Sequence, residues 1–175
     1  YFVECGIGYG ESFSFIAWFA ERFNSNLIGF DSFEGFPEPT HDLDQRKFGP
    51  PTKKGQWNVN SKELILSKLR NMKFSGTYID TRVELVKGYF ENTLTTYDFK
   101  KKICFLNLDV DLYSSYETCL EGLAPHIAQG GVICLDEYHS DKWNGCKKAV
   151  DEFLLNKQFK LIEDLSTQRA YLKKV

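Results

Sequence analysis

Two groups of acidic residues each follow a strongly apolar run of the sequence. Asp109 and Asp111 come after the first run, and Asp136 and Glu137 follow the second. A continuously apolar run is typical of a strand that is covered on both faces of a sheet. Ligands collect beyond the carboxyl ends of parallel strands, and neighbouring strands lie about 4.8 Å apart. The carboxylates could therefore meet on one divalent cation such as Mg²⁺, which prefers oxygen ligands, and this pattern predicts an enzyme.

A glycine-rich turn lies near the start of the chain, where Gly6, Gly8 and Gly10 stand between a predicted strand and a predicted helix. Glycines at such a place let a ligand approach the backbone at a helix N-terminus. Alone, the turn is also compatible with a purely structural role. Asp31 ends the next predicted strand, where an acid commonly binds ribose hydroxyls, so the pair favours a nucleoside cofactor. The GxGxG spacing favours S-adenosylmethionine over a dinucleotide.

The elements that must position these residues alternate between strands and helices. The predicted strands cover residues 1–5, 27–30, 83–86, 103–108, a run after Gly130 and Gly131, 159–163 and 170–173. The predicted helices cover 12–23, 60–72, a short helix or turn at 90–97, 114–128 and 144–155. Asn60 with Glu63, and Ser114 with Glu117, resemble helix caps and their partners. This alternation predicts a three-layer α/β sandwich whose last two strands form an antiparallel pair.

Length and composition limit the remaining possibilities. A chain of 175 residues predicts one domain, 1–175, and a net charge of -2 gives no reason to expect nucleic acid or a membrane as partner. No apolar stretch is long enough to span a bilayer. The five cysteines form no CxxC pair, and Cys5, Cys104 and Cys134 lie in predicted buried strands, which favours reduced thiols and a cytoplasmic location. The chain begins at Tyr1 within a strand, so we expect that a natural N-terminal segment precedes it.

The segment 32–59 is longer than ordinary connections in compact domains. It follows Asp31 and therefore leaves the sheet on the ligand side, which predicts a lid or a substrate wall. A tolerated surface insertion is the alternative interpretation. Trp57 and Trp143 could line the substrate site, although an aromatic side chain packed in the core is the more common case.

Six strings, in order over nearly the whole chain, resemble the macrocin O-methyltransferase family: VECGIGYGES (3–12), GFDSFEGFPEP (29–39), KGYFENTL (87–94), LDVDLYSS (108–115), GGVICLDEY (130–138) and AVDEF (149–153). The resemblance implies a Rossmann-like class I methyltransferase fold, with a mostly parallel seven-stranded sheet in the order 3-2-1-4-5-7-6. It also implies S-adenosylmethionine and Mg²⁺ as cofactors and a sugar or polyol hydroxyl, on a small molecule or glycan, as acceptor. A homo-oligomer is compatible with it.

Site residues follow from the resemblance by motif position. It implies that Glu4, Gly6, Gly8 and Gly10 frame the methionine part of the cofactor, Asp31 holds the ribose, Gly88 and Tyr89 border the adenine, and Asp109, Asp136 and Glu137 hold the metal. Related catechol O-methyltransferases carry a lysine base three residues after their first metal aspartate, and Leu112 stands there in this sequence. The sequence leaves open whether Glu137 contacts the metal directly.

The implied chemistry needs a proton acceptor. Two adjacent hydroxyls on Mg²⁺ would become more acidic, and the sulfonium would supply the methyl group, so positioning and proton removal remain. Asp109 would be catalytic through the metal. His139 and Asp111 are the candidate bases, although Asp111 could instead cap the following helix and His139 could be an exposed loop residue.

Two other functions are weighed against this one. A nicotinamide-dependent oxidoreductase would use the glycine turn and Asp31 but would leave Asp109, Asp136 and Glu137 without a role. A cofactor-binding, non-catalytic module of a larger protein would leave the same acids without a role.

Overall fold

A computed structural model describes residues 1–156, 158–164 and 166–175, and it contains one seven-stranded sheet. The strands are β1 (Phe2–Cys5), β2 (Leu27–Asp31), β3 (Val83–Lys87), β4 (Ile103–Leu108), β5 (Ile127–Leu135), β6 (Phe159–Asp164) and β7 (Arg169–Lys174). The helices are α1 (Glu11–Arg22), α2 (Lys62–Asn71), α3 (Gly76–Arg82), α4 (Phe90–Thr93), α5 (Tyr113–Leu123) and α6 (Asn144–Phe153). Short 3₁₀ turns cover Asp42–Asp44, Ala124–His126 and Leu154–Asn156.

The sheet has the order β3-β2-β1-β4-β5-β7-β6, as predicted. The pairs among β1 to β5 are parallel, whereas β7 is antiparallel to both β5 and β6. The carboxyl ends of β1 to β5 therefore lie at one edge of the sheet, and the chain segments that follow them come together there.

Two apolar clusters fill the space on the two faces of the sheet. One joins the strands to α5 and α6 through residues such as Tyr116 and Val150, and the other joins them to α1, α2 and α3 through residues such as Phe13 and Leu69. Along β4, Leu106 and Leu108 belong to the first cluster and Phe105 packs against the second, which identifies the three layers of the predicted sandwich. The opposite side of α1 leaves several aromatic side chains exposed: Phe15, Trp18, Phe19 and Phe23.

Several helix boundaries differ from the predictions. The N-cap of α2 is Ser61, whose hydroxyl accepts the Leu64 N–H at 3.3 Å, while the Asn60 amide instead donates to the Gly8 carbonyl. The helix α3 was not predicted, because its seven residues show too little periodicity; Ser75 caps it.

The ends of α5 and β5 also differ from the predictions. Helix α5 ends at Leu123, and a 3₁₀ turn leads into β5, so Gly130 and Gly131 lie inside this strand rather than before it. A Cβ on Gly131 would lie 3.1 Å from the carbonyl oxygen of Ile103, beside a register irregularity between Ile103 and Phe105. Gly131 therefore serves a close approach of two strands, whereas Gly130 has open space around it and a φ of +76°.

The structure also bears on the expected reduced state of the cysteines and on the expected absence of a membrane-spanning segment. All five cysteines are free thiols, and Cys5, Cys119 and Cys146 are buried. Cys104 is exposed, contrary to the expectation of a buried strand position. Within the described residues, no helix has both the length and the apolar character that a membrane crossing requires.

Candidate active site

A cleft of about 600 Å³ lies at the carboxyl ends of β1 to β5. Its walls come from the glycine turn after β1, from Asp31 and the segment after it, from Gly88 and Tyr89 after β3, and from the segments after β4 and β5. The parallel strands therefore bring most of the predicted site residues to one place, while Glu4, Gly10 and His139 are not among the described residues that line it.

The glycine turn after β1 packs directly against the segment after β4. Gly6, Gly8 and Gly10 have φ values of +79°, +51° and +79°, a region that side chains other than glycine rarely adopt. A Cβ on Gly6 would lie 1.9 Å from the carbonyl oxygen of Asp109, so no other residue fits there without a backbone shift. The cofactor turn and the first candidate metal ligand are thus in contact.

Asp31 is held at the cleft by two backbone donors. Its carboxylate oxygens accept the Ile7 N–H at 2.8 Å and the Phe33 N–H at 2.7 Å. A carboxylate has about four acceptor positions, so two remain for ribose hydroxyls. The Gly88 N–H donates to the Asp31 carbonyl at 3.0 Å, which places the end of β3 beside the same position.

Glu4 lies beneath the turn and is 0% exposed. One of its carboxylate oxygens accepts the Asn107 amide at 2.7 Å, and the other has no hydrogen-bond partner within the described residues. Burial raises the pKa of Glu4 to about 8. Glu4 is not among the residues that line the cleft. It precedes Gly6 by two residues in the sequence, and it carries a buried oxygen without a partner. An orphaned buried acceptor of this kind fits a ligand that carries positive charge, as S-adenosylmethionine does.

Asp109, Asp136 and Glu137 meet as predicted at the ends of β4 and β5. Each offers an oxygen within 4.8 Å of the others. Burial, together with the charge of Asp136, raises the pKa of Asp109 to about 6, and burial with the charge of Asp109 raises the pKa of Glu137. Tyr116 donates its hydroxyl to one oxygen of Glu137, which leaves the other oxygen available. Three crowded carboxylate oxygens suit a hard divalent cation, whose charge would relieve the repulsion between them.

Arg169, at the start of β7, donates to the carboxylate of Asp136. The antiparallel register pairs Leu135 with Ala170, and therefore brings Arg169 next to the residue that follows β5. No motif of the sequence marked Arg169. Its partner follows from the strand order and register, which local patterns do not contain.

The two candidate bases are in different places. Asp111 lines the cleft in a left-handed conformation, with φ +58°, and burial with the charge of Asp109 raises its pKa to about 7. His139 is not among the described residues that line this cleft; its Nε2 lies 3.4 Å from Glu163 on β6. Asp111 does not cap α5.

The cap of α5 comes from the segment 32–59 instead. Asp44, which is 0% exposed, accepts the backbone N–H of Ser114 at 2.9 Å and its hydroxyl at 3.0 Å. The same carboxylate accepts the N–H groups of Thr40 and His41 at 3.0 and 3.1 Å. The predicted capping box of Ser114 with Glu117 is absent, because Ser114 is itself a donor to Asp44. The segment is thereby fastened across the cleft, from β2 to α5.

Aromatic and basic side chains complete the cleft on the side of that segment. Trp57 is 49% exposed, whereas Trp143 is 3% exposed and packs edge-on against Phe36 with 5.9 Å between ring centroids. Lys142 lies between the two indoles. Lys142 was not predicted, because a single lysine in a polar loop has no distinguishing local pattern.

A sequence model of the family described as Macrocin-O-methyltransferase (TylF) matches residues 1–173. The chain belongs to this family. The resemblance that the six strings indicated is thus confirmed over almost the entire chain.

The curated relatives of this methyltransferase-family chain come from Streptomyces. It is 30% identical over 139 residues to the demethyldecarbamoylnovobiocin O-methyltransferase of Streptomyces niveus, a match that covers 78% of this chain and 49% of the relative. It is 30% identical over 126 residues to an 8-demethyl-8-(2,3-dimethoxy-α-L-rhamnosyl)-tetracenomycin-C 4'-O-methyltransferase of Streptomyces olivaceus, covering 70% of this chain and 44% of that protein. The matched region thus spans about half the length of these relatives.

Solved structures confirm the class I methyltransferase fold. The calicheamicin methyltransferase CalS11 superposes with a TM-score of 0.83 at 24% identity, covering 98% of this chain and 71% of that one. The O-methyltransferase NovP superposes with a TM-score of 0.81 at 23% identity, covering 99% and 71% of the two chains.

Proposed function

We propose that the chain is the catalytic domain of an O-methyltransferase that transfers a methyl group from S-adenosylmethionine to a hydroxyl of a sugar-containing small molecule, with Mg²⁺ as a second cofactor. Family membership and the printed activities of the Streptomyces relatives support the reaction and the sugar acceptor. The observation that carries the proposal is the contact between the glycine turn and the acidic cluster, through Gly6 and Asp109. This contact supports a proposed cofactor site and a proposed cation site that adjoin each other.

Different residues are proposed to bind the methionine, ribose and adenine parts of the cofactor. Glu4 and the glycines of the turn would hold the methionine part, where a cationic ligand would displace the proton of Glu4 and pair with its unpartnered oxygen. Asp31 would accept the ribose hydroxyls with the acceptor positions that Ile7 and Phe33 leave open. Gly88 and Tyr89 would border the adenine. When bound, the sulfonium supplies an activated methyl group.

Asp109, Asp136 and Glu137 are the proposed metal ligands. Their oxygens lie close enough together for one cation, and the second oxygen of Glu137 is not used by Tyr116. A bound divalent cation would increase the acidity of an acceptor hydroxyl and orient it. Arg169 supplies positive charge to Asp136 from outside the trio.

Asp111 is the proposed proton acceptor. It lines the cleft two residues after Asp109, whereas His139 contacts Glu163 and is not among the residues that line it. The left-handed backbone at Asp111 is uncommon for a residue with a side chain, and such conformations concentrate at functional sites. His139 is therefore assigned no part in proton removal.

The alternatives have less support. The family and the curated relatives are O-methyltransferases, so nothing among them favours a nicotinamide-dependent oxidoreductase. A non-catalytic module would leave Asp111 and the acidic cluster without a role in a cleft that they line together.

The proposal is tested with purified protein, radiolabelled S-adenosylmethionine and a panel of deoxysugar glycosides. We expect transfer that stops in excess chelator and returns with Mg²⁺, while calorimetry detects binding of S-adenosylhomocysteine and none of NAD. Asp109→Asn should abolish most turnover and leave S-adenosylhomocysteine affinity nearly unchanged. Full turnover in excess chelator would exclude the metal from the mechanism.

The base is tested by a matched pair of variants. Asp111→Asn should lower turnover by roughly 10²–10⁴, the usual contribution of a general base, and remove the acidic limb of the pH profile. His139→Gln should keep the native turnover and the acidic limb of the pH profile. The reverse pattern would assign proton removal to His139.

A further inference from the structure

Tyr116, on α5, is a fully buried residue whose hydroxyl lies at the acidic cluster. Its exposed fraction is 0%. The hydroxyl is within hydrogen-bond distance of the Leu108 carbonyl, at 2.9 Å, and of one carboxylate oxygen of Glu137. The Glu137 N–H lies 3.5 Å from the same hydroxyl oxygen. Tyr116 therefore joins the end of β4 to the segment that follows β5.

The single proton of this hydroxyl is available to Glu137. The Leu108 carbonyl already accepts the backbone N–H of Asp136 at 3.0 Å. A carbonyl with one donor is satisfied, whereas a buried carboxylate oxygen without a donor is costly. Glu137 is 4% exposed, so water has little access to that oxygen in place of the tyrosine. One oxygen of Glu137 is thus held by Tyr116, and the other is left for the cluster.

This hydrogen bond limits how Glu137 can bind a cation. A carboxylate can contact a cation with one oxygen or with both. A cation that contacted both oxygens of Glu137 would compete with the Tyr116 proton for the second one. The ring of Tyr116 is packed in the apolar cluster that joins α5 to the sheet, so the hydroxyl cannot move aside easily. Contact through a single oxygen is therefore favoured.

Divalent cations differ in their response to this restriction. Mg²⁺ demands octahedral geometry with oxygen ligands at about 2.0–2.1 Å, and it keeps several waters beside one or two carboxylates. Ca²⁺ takes about six to eight oxygens at about 2.3–2.6 Å and accepts carboxylates that bind through both oxygens. A glutamate that offers one oxygen suits Mg²⁺, whereas it denies Ca²⁺ one of the ligands that it would otherwise take.

We propose that Tyr116 is a positioning residue that makes the acidic cluster selective for Mg²⁺ over Ca²⁺, because it restricts Glu137 to one cation-binding oxygen. The inference rests on the proposed function, in which Asp109, Asp136 and Glu137 hold the cation. Tyr116 acts through Glu137 and is not among the described residues that line the cleft. The selectivity thus depends on a buried hydroxyl behind the ligands, since carboxylates by themselves bind both cations.

The test measures cation affinity directly and does not depend on turnover. The ligand-free protein is titrated with Mn²⁺, whose free fraction is read by electron paramagnetic resonance, and Mg²⁺ or Ca²⁺ is then added as a competitor. The native protein should bind Mg²⁺ more tightly than Ca²⁺. Tyr116→Phe keeps the ring and removes the hydroxyl, and it should lower the ratio of the Ca²⁺ dissociation constant to that of Mg²⁺ by about tenfold or more.

Two control variants separate selectivity from a general structural effect. Tyr113→Phe removes the hydroxyl of a half-buried tyrosine on the same helix, which donates to Glu152 at 2.9 Å, and it should leave the ratio unchanged. Glu137→Gln has only one oxygen for a cation, so adding Tyr116→Phe to it should change the ratio by at most about twofold. A loss of packing would instead weaken Mg²⁺ and Ca²⁺ by the same factor.

A crystal structure of the native protein with Mn²⁺ tests the same point without a variant. We expect Glu137 to contact the cation through one oxygen while its other oxygen stays on Tyr116. Contact through both oxygens of Glu137 would overturn the inference. So would native protein that prefers Ca²⁺, or an unchanged ratio in Tyr116→Phe protein that binds Mn²⁺, and either result would leave the proposed cation site in place.

Failure of the proposed function gives different results. Native protein that binds no Mn²⁺ would refute the Mg²⁺ part of the proposed function and the inference with it. A ratio that shifts as expected in protein without affinity for S-adenosylhomocysteine would support the role of Tyr116 and would refute the methyltransferase proposal.

Discussion

Asp44→Ala should destabilise the protein by about 3 kcal/mol, because it removes a fully buried acceptor of four hydrogen bonds. Thr40 and His41 are exposed, so their N–H groups can bind water in the variant. The cost falls mainly on the two donors of Ser114. An unsatisfied buried donor costs about 1–3 kcal/mol, and because Ser114 is half-buried its two donors should lose about 2 to 4 kcal/mol together.

The assay is urea unfolding at equilibrium, followed by circular dichroism, with Asp44→Asn and Asp42→Asn beside the alanine variant. An amide at position 44 would place its NH₂ against at least one of the donors, so Asp44→Asn should also lose roughly 2 kcal/mol. Asp42 lies in the same 3₁₀ turn but is exposed, and its substitution should change stability by less than about 0.5 kcal/mol.

A second measurement examines the site. Asp44 holds the start of α5, close behind Asp111, so its loss should lower methyl transfer more than it lowers S-adenosylhomocysteine affinity. Native stability of both Asp44 variants would show that the described hydrogen bonds do not hold the segment in solution, and the reasoning would be refuted.

Three further predictions concern the two ends of the cleft. Asp31→Ala should weaken S-adenosylhomocysteine binding ten- to a hundredfold by calorimetry, and unchanged affinity would reject the ribose assignment. Burial raises the pKa of Glu4 from 4.5 to about 8, so the folded state keeps a proton that the unfolded chain loses, and stability should fall as pH rises through that interval. Glu4→Gln should remove this slope and make the ligand-free protein more stable at pH 8, while weakening S-adenosylhomocysteine; a slope that persists in the variant would contradict the assignment. Arg169 donates to Asp136, so Arg169→Gln should tighten Mn²⁺ binding several-fold, because it removes a positive charge that repels the cation. Arg70→Gln is the control, since Arg70 forms an exposed ion pair with Asp80, and it should leave Mn²⁺ binding unchanged. Weaker Mn²⁺ binding in Arg169→Gln would show that Arg169 orients the carboxylate of Asp136 instead.

Local patterns were sufficient for the alternation of strands and helices and for the positions of the acids. Continuous apolar runs predict β4 and β5, and the residues after them meet as expected, since parallel strands end at a common edge. The sheet order followed from the family resemblance rather than from periodicity. The three glycines predicted a turn after β1, and all three have positive φ values there, because glycine adopts this backbone conformation readily.

Contacts between distant residues were beyond the reach of sequence patterns. Asp44 replaces the predicted cap of α5 across a separation of 70 residues, and Arg169 reaches Asp136 only through the antiparallel register of β5 and β7. His139 is two residues beyond Glu137, but the turn after β5 leads it to β6 rather than to the cleft. Sequence spacing placed this histidine near the proposed metal ligands and could not show which way the turn leads.

The contact between Gly6 and the Asp109 carbonyl has a thermodynamic consequence. Gly6 lies close against that oxygen, and the Asp109 N–H donates to the Cys5 carbonyl at 3.1 Å, so a movement of the turn is transmitted to the segment after β4. Any ligand that tightens one of them changes the free energy of ligand binding at the other, and such linkage is reciprocal. The binding of the proposed methyl donor and that of the proposed cation are therefore expected to be linked, each changing the affinity of the other by the same factor.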